Sequence, residues 1–192
     1  MFTGFQFFFS EETALKKHSQ THEIKNMTKI DFSMLRADET ESIAEMSRMA
    51  TEILREHYDH IVGKEQNTYM LDKFQSVKAI GEQLGNGYRY YFVRCDGRNV
   101  GFMAFYPRQK AMYLSKLYLY KDERGKGFSR QMIAFVAEKA RRENLCAVEL
   151  NVNKHNPSIS VYESLGFRHL RAEKIDIGHG YFMDDFVMRL EI

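Results

Sequence analysis

No apolar run in this chain approaches the ~18 residues that a membrane-spanning helix needs, so a helical membrane protein is not indicated. Phe5, Phe7, Phe8 and Phe9 come nearest, but Glu11 and Glu12 follow at once. Without a basic leader or a small-residue cleavage site, that stretch does not read as a signal peptide. Cysteine is scarce: Cys95 and Cys146 lie in strand-like runs with no metal-ligand spacing around them. Both are expected to be reduced core residues of a cytosolic protein rather than disulfide partners, and no metal site is expected. Charge of one sign is lacking too, with 28 basic against 26 acidic side chains and a net charge of +2. Without a basic block, nucleic-acid binding is not expected, and any positive patch has to be local. There is no internal repeat and no low-complexity tract. The chain reads as cytoplasmic, with neither membrane nor nucleic acid as a partner.

What is present suits one domain with modest additions. The 192 residues are 44% hydrophobic and 28% charged, enough to bury a core. Residues 1–26 show no clean period and carry Lys16, Lys17, His18, His22 and Lys25. They read as a loosely held extension, with Met27 as the true or an alternative start and 27–192 as the domain. A strand is expected at 30–35. Asp38 and Glu41 have capping-box spacing, and Ile43, Met46, Met49, Ala50, Ile53 and Leu54 follow with a helical period. A second helical region spans about 68–84, with a break near Gln75-Ser76 where Ser76 can cap a fresh turn. Gly85-Asn86-Gly87 ends it. Strands are expected at 88–95, 99–106 and 112–120, the first two joined by a tight turn at Asp96-Gly97. Then come a helix at 129–143, a strand at 146–152, a short helix at 157–165, and strands at 167–177 and 181–190. The strand–helix–strand unit from Leu114 to Val152 implies a parallel pair with a right-handed crossover, and the hairpins on either side are antiparallel. The fold class is therefore α/β, with a mixed sheet.

The most informative stretch is Arg124-Gly125-Lys126-Gly127-Phe128-Ser129, between a strand and a helix. Gly125 and Gly127 let the backbone turn sharply and approach an anion without a Cβ in the way. The N–H groups from Gly125 to Arg130 would face that anion at a helix start. Arg124, Lys126 and Arg130 add local positive charge, so a pyrophosphate suits the site. The loop lacks the third glycine of the dinucleotide fingerprint, where Arg130 stands, and the Gly-Lys-Ser/Thr ending of a P-loop. The alternative is a tight strand-to-helix connection with no ligand.

A second segment changes that balance: Asn156-Pro157-Ser158-Ile159, Tyr162 and Gly166-Phe167. Together with Leu117-Tyr118-Leu119 and the glycine loop, it resembles the GCN5-related N-acetyltransferase (GNAT) family. The resemblance runs from about Ile30 to Leu190 and is strongest from Leu114 to Phe167. The family's loop pattern, Arg/Gln-x-x-Gly-x-Gly/Ala, is met by Arg124 and Gly127, with Ser129 as a small departure at the last position. Lys121 replaces a proline common in the family, and the Asn156–Tyr162 interval is one residue shorter than usual. The implied fold is a mostly antiparallel sheet with a splayed parallel pair and flanking helices.

The resemblance also implies a mechanism. Acetyl-CoA would lie where the strands carrying Leu114–Tyr120 and Cys146–Val152 part. Backbone groups of Leu117 and Leu119 would pair with its pantetheine arm, and an N–H near Leu117 would polarise the thioester. Tyr118, Phe128 and Asn156 complete the cofactor-binding set. An acceptor amine, from a small molecule or a protein, would attack directly. Tyr162 would act as general acid towards the departing sulfur, since a phenol of ordinary pKa near ~10 is protonated at neutral pH. The alternative for Tyr162 is a ring packed in the core. The general base stays open among Glu65, His179, Asp184 and Asp185, because the central strand offers Ser115 and Lys116 instead of the glutamate some members carry. The acceptor pocket is expected between residues 63–76 and 177–185. His57-Tyr58-Asp59-His60 reads as a solvated helix end rather than a metal site. A homodimer is common in the family, though no residue here demands one. A non-catalytic acyl-CoA-binding module on the same scaffold is the competing function.

Overall fold

The computed structural model describes residues 28–192, and the extension expected at 1–26 lies outside them. A short strand, β1 (Asp31–Met34), leads into α1 (Thr40–Val62), α2 (Lys64–Gln75) and α3 (Val77–Gly85). The strands β2 (Arg89–Cys95), β3 (Arg98–Arg108) and β4 (Ala111–Leu119) form a meander. A short 3₁₀ turn and the glycine loop then open α4 (Phe128–Arg142), followed by β5 (Ala147–Asn153), α5 (Ile159–Ser164), β6 (Arg168–Gly178) and β7 (Tyr181–Glu191). All seven strands form one sheet in the order β1-β2-β3-β4-β5-β7-β6. Every neighbouring pair is antiparallel except β4 and β5. The expected fold class is the observed one.

Both faces of the sheet are covered, which explains why β2 is a nearly unbroken apolar run rather than an alternating one. Tyr90 and Phe92 pack with Met46, Ile53 and Leu54 of α1, whereas Tyr91 and Val93 pack on the α4 side with Met132 and Val136. The hairpin between β2 and β3 turns at Asp96 and Gly97, both at positive φ, as a two-residue turn matching strand twist requires. Ser76 separates α2 from α3, and its Oγ accepts from the amide of Ala79 at 3.3 Å, the cap its position predicts.

Three local expectations fail. The capping box does not form: Glu39 precedes the first residue of α1 without a side-chain cap. Asp38 is held instead by the Arg36 guanidinium at 3.0 and 3.1 Å. Cys146 is exposed, because β5 begins one residue later and the thiol stays in the turn, while Cys95 is buried as expected. The helix end at His57–His60 is not simply solvated: α1 runs to Val62, and His57 and Tyr58 are half-buried in it.

Two irregularities of β4 position the site. It pairs with β5 only from Ala111 to Tyr113, after which the strands part. It also carries a bulge against β3: Ala104 opposes Lys116 and Phe105 opposes Leu114, leaving Ser115 unmatched. A bulge of one residue reverses the facing of everything beyond it. Met112 and Leu114 accordingly join the α4-side core, while Tyr118 turns towards α1–α3 and Leu117 and Leu119 return to the α4 side.

Candidate functional site

The gap between β4 and β5 opens into two cavities on opposite sides of Tyr118. The larger, about 310 Å³, is bounded by the glycine loop, the start of α4, Leu117 and Leu119 of β4, and α5 with Tyr162. The smaller, about 140 Å³, lies beneath α1 and α2 and is closed by β7. A 30 Å³ space between them touches Tyr58, Leu117, Tyr118, Leu150, Asn156 and Tyr162. Tyr118 borders all three.

Backbone geometry makes the first cavity. The amide of Tyr120 donates to Val100 of β3 at 3.0 Å. Alternation along an antiparallel edge then turns the N–H and C=O groups of Leu117 and Leu119 the other way, into the gap β5 has vacated. The carbonyl of Leu119 is already engaged there by Arg124 Nε at 3.2 Å. In the loop, Gly125 and Gly127 sit at φ of 77° and 80°, and Gly127 immediately precedes α4. A side chain is strained in that left-handed region. Among the described residues, none accepts from the amides of Gly125 to Arg130 outside the helix's own ladder. These are the orphan donors of a helix start, and they form a concave anion-binding surface.

The charges of the loop are arranged differently from the sequence expectation. Arg124 Nη2 pairs with Glu56 at 2.6 Å, and Lys126 Nζ with Glu123 at 2.8 Å. Of the three cations, only Arg130 enters no ion pair among the described residues, and it lines the cavity. Lys126 does not line it, whereas Arg124, Gly125, Gly127, Phe128 and Ser129 do. The ring of Phe128 is buried in the α4-side core, leaving its backbone as the part available to a ligand. The positive character of the loop comes from its oriented amides together with Arg130.

Asn156 lies at the back of the junction, 6% exposed. Its Oδ1 accepts from the amide of Ser158 at 2.8 Å and lies 3.3 Å from His57 Nε2. Its Nδ2 donates to the Tyr58 hydroxyl at 3.1 Å. Asn156 thus ties the start of α5, and with it Tyr162, to the end of α1. Burial, with Tyr58 beside it, raises the Tyr162 pKa far above the usual phenol value, so the group stays protonated. Burial also raises the Tyr118 pKa well above that value, and moves that of Tyr58 upward. Burial, followed by nearby Arg124, pushes the His57 imidazole down. His57 and Tyr58 border the candidate site, although the sequence reading assigned them to a solvated helix end. The signal available was the continuation of the helical period past Leu54.

Side chains from distant segments make the second cavity. Gln66, Met70 and Phe74 of α2 face Phe182, Met183 and Asp185 of β7 across it, with Ser115 and Lys116 of β4 at one end. The two segments expected to border an acceptor both line this cavity. Of the four candidate bases, Asp185 alone lines this cavity. It is 4% exposed, and burial raises its pKa to about 6. Asp184 is ion-paired with Lys154, Glu65 is exposed at the start of α2, and His179 packs at a tilt against Tyr69 at the β6–β7 turn. No group of three or more metal-ligating side chains is found among the described residues, and no described helix is long and apolar enough to cross a membrane.

The comparisons agree with this architecture. A family model described as "Acetyltransferase (GNAT) domain" matches residues 57–182. The PaiA N-acetyltransferase of Thermoplasma acidophilum, solved with coenzyme A, superposes with a TM-score of 0.69 at 17% identity, covering 85% of this chain and 99% of that one. The ribosomal-protein-S18-alanine N-acetyltransferase of Escherichia coli gives 0.59 at 17%, covering 85% and 94%. A chimera of the spermidine N-acetyltransferase SpeG from Vibrio cholerae gives 0.59 at 17%, covering 84% and 94%. At such identities the likeness establishes a shared fold. A search of curated protein sequences finds no match.

Proposed function

Because this chain belongs to the GNAT family of acetyltransferases, we propose that it transfers the acetyl group of acetyl-CoA to a primary amine by direct attack. The observation that carries this reading is the parting of β4 from β5 beside a loop of unpartnered amides. Coenzyme A is the ligand of the Thermoplasma protein, and the larger cavity suits it here. Loop amides would receive its pyrophosphate, and the open backbone groups of Leu117, with the N–H of Leu119, would pair with its amide-bearing arm, as in strand addition. When bound, acetyl-CoA supplies a thioester open to attack and a thiolate leaving group.

The remaining chemistry belongs to the protein. The Leu117 N–H, aimed into the gap, would stabilise negative charge developing on the carbonyl oxygen. Tyr162, held protonated by burial, would donate to the departing sulfur. Asp185, in the acceptor-side cavity with a pKa of about 6, is ionised at neutral pH and would take the proton that the amine loses. Asn156, bonded to both α1 and α5, positions rather than reacts. His57 and Tyr58 share that positioning role. Acceptor chemistry varies among the similar proteins, from an alanine of ribosomal protein S18 to spermidine. Small-molecule and protein amines therefore both belong in the test.

The test is release of free thiol from acetyl-CoA across a panel of amines, amino acids, polyamines and peptides. The expected result is amine-dependent release that is lost in Tyr162→Phe, while acetyl-CoA still raises the melting temperature of both proteins. Thermal stabilisation without release for any amine would refute the catalytic reading.

A further inference from the structure

Lys116 is buried where the fold does not need a cation. It is 5% exposed, and its one hydrogen bond within the described residues runs from Nζ to the neutral amide oxygen of Gln83 at 2.9 Å. The rings of Tyr88 and Tyr90 lie 5.6 and 5.5 Å from Nζ. No charged neighbour supports it: desolvation is the sole influence on its pKa, which falls to about 7. A buried ammonium normally has a carboxylate beside it. Here the bulge at Ser115 interrupts the facing of β4 just before this residue, and Lys116 lines the smaller cavity.

The rest of that cavity fits a ligand with two charged ends. Asp185 is its one lining carboxylate and Lys116 its one lining cation. Met70, Phe74 and Phe182 give the wall between them an apolar character. A polyamine would set a second ammonium against Lys116 and leave that lysine without a counter-charge. A molecule carrying one amine and one carboxylate matches the lining at both ends.

We propose that the acceptor is a small amino acid-like amine, with Lys116 receiving its carboxylate while its amine faces Asp185. This rests on the acetyl-transfer reading of the site and narrows it. Lys116 sets specificity, because it meets the far end of the acceptor and not the reacting atoms. Binding of the carboxylate restores the missing partner of the ammonium, so affinity and specificity share one cause.

The test pairs each amino acid whose amine and carboxylate stand at opposite ends with the amine left by its decarboxylation: β-alanine with ethylamine, γ-aminobutyrate with propylamine, 6-aminohexanoate with pentylamine, and spermidine alone. Thiol release is measured for the full-length protein and for Lys116→Met and Lys116→Gln, and calorimetry records binding of the same compounds. The carboxylate-bearing member should be favoured by about 10-fold or more in kcat/KM. Both variants should erase that preference while still being stabilised by acetyl-CoA. Preference for the decarboxylated amines or for spermidine overturns the proposal, as does a carboxylate preference that survives in both variants. Should none of these compounds be acetylated while a peptide is, the amino acid proposal is overturned and acetyl transfer stands; should nothing be acetylated, peptides included, the acetyl-transfer reading fails by itself. Carboxylate binding lost on substitution of Lys116 would then still support the anion site, and absence of such binding would overturn it.

Discussion

The two cavities on either side of Tyr118 are built by different means. The larger one is made mostly of backbone: amides at the start of α4, glycines at positive φ, and a strand edge left open where β5 departs. Its elements come largely from two stretches, 117–130 and 158–165, and the basic side chains nearest the loop turn are neutralised by Glu56 and Glu123. The smaller one is made of side chains drawn from α1, α2, β4, β5 and β7, with a buried lysine and a buried aspartate among them. A backbone site depends on local conformation and tolerates varied side chains. A side-chain site depends on tertiary placement and is free to change its ligand.

Substitutions should separate the two. The largest effect is expected for Gly127→Glu. A side chain at φ of 80° is strained, and a carboxylate would meet the phosphates. Calorimetry should record a loss of acetyl-CoA affinity of about 1,000-fold, roughly 4 kcal/mol, in a protein that still melts cooperatively. Next, Tyr162→Phe should lower kcat by about 100-fold and leave acetyl-CoA affinity within a few-fold of the original. An equal loss in both would make Tyr162 a binding residue.

Asp185→Asn should lower kcat by about 10- to 100-fold without touching the cofactor side. Burial raises the carboxyl pKa to about 6, against the opposing influence of Asn151 and Lys154 and with that of Asp184 and Glu173. A proton acceptor has to be ionised, so the wild-type rate should fall as pH drops through about 6. That limb should vanish in the variant. A limb unchanged in Asp185→Asn would assign the base elsewhere.

Smaller effects concern stability. Asn156→Ala removes bonds to Tyr58 and Ser158 and should cost about 1–2 kcal/mol, seen as a lower melting temperature. Lys116→Met should do the reverse at pH 7, adding about 1 kcal/mol or about 2–4 °C. The lysine pKa is depressed from 10.5 to about 7, so its burial penalises the fold below the unfolded value and most fully below the folded one. The gain should shrink as pH rises from 7 towards 10.5. A gain independent of pH would point to packing instead of charge.

The same contrast explains what could be read from the chain. The strands, the crossover helix and the turns at Asp96-Gly97 and Ser76 were legible because apolar period and turn chemistry are local properties. The larger cavity was legible because a glycine-rich helix start announces itself. The neutralisation of Arg124 by Glu56 was not, since those residues are 68 positions apart and meet only when α1 passes beneath the loop. Nor was the bulge at Ser115, which shows in the register of β3 against β4 and not in the composition of either strand. It hid the facing of Lys116. The capping box failed because α1 starts after Glu39, one residue later than the box requires, and Asp38 lies against Arg36 instead. Asp185 could be named among four acids and bases but not chosen, because only the packing of β7 against α2 distinguishes it.

The central claim is that the amides from Gly125 to Arg130 hold the pyrophosphate of acetyl-CoA. Calorimetry comparing acetyl-CoA with S-acetylpantetheine, which has the same thioester arm but no pyrophosphate, tests it most directly. The account predicts binding of acetyl-CoA and a loss of at least about 100-fold for the truncated compound. Equal affinity for the two would contradict it.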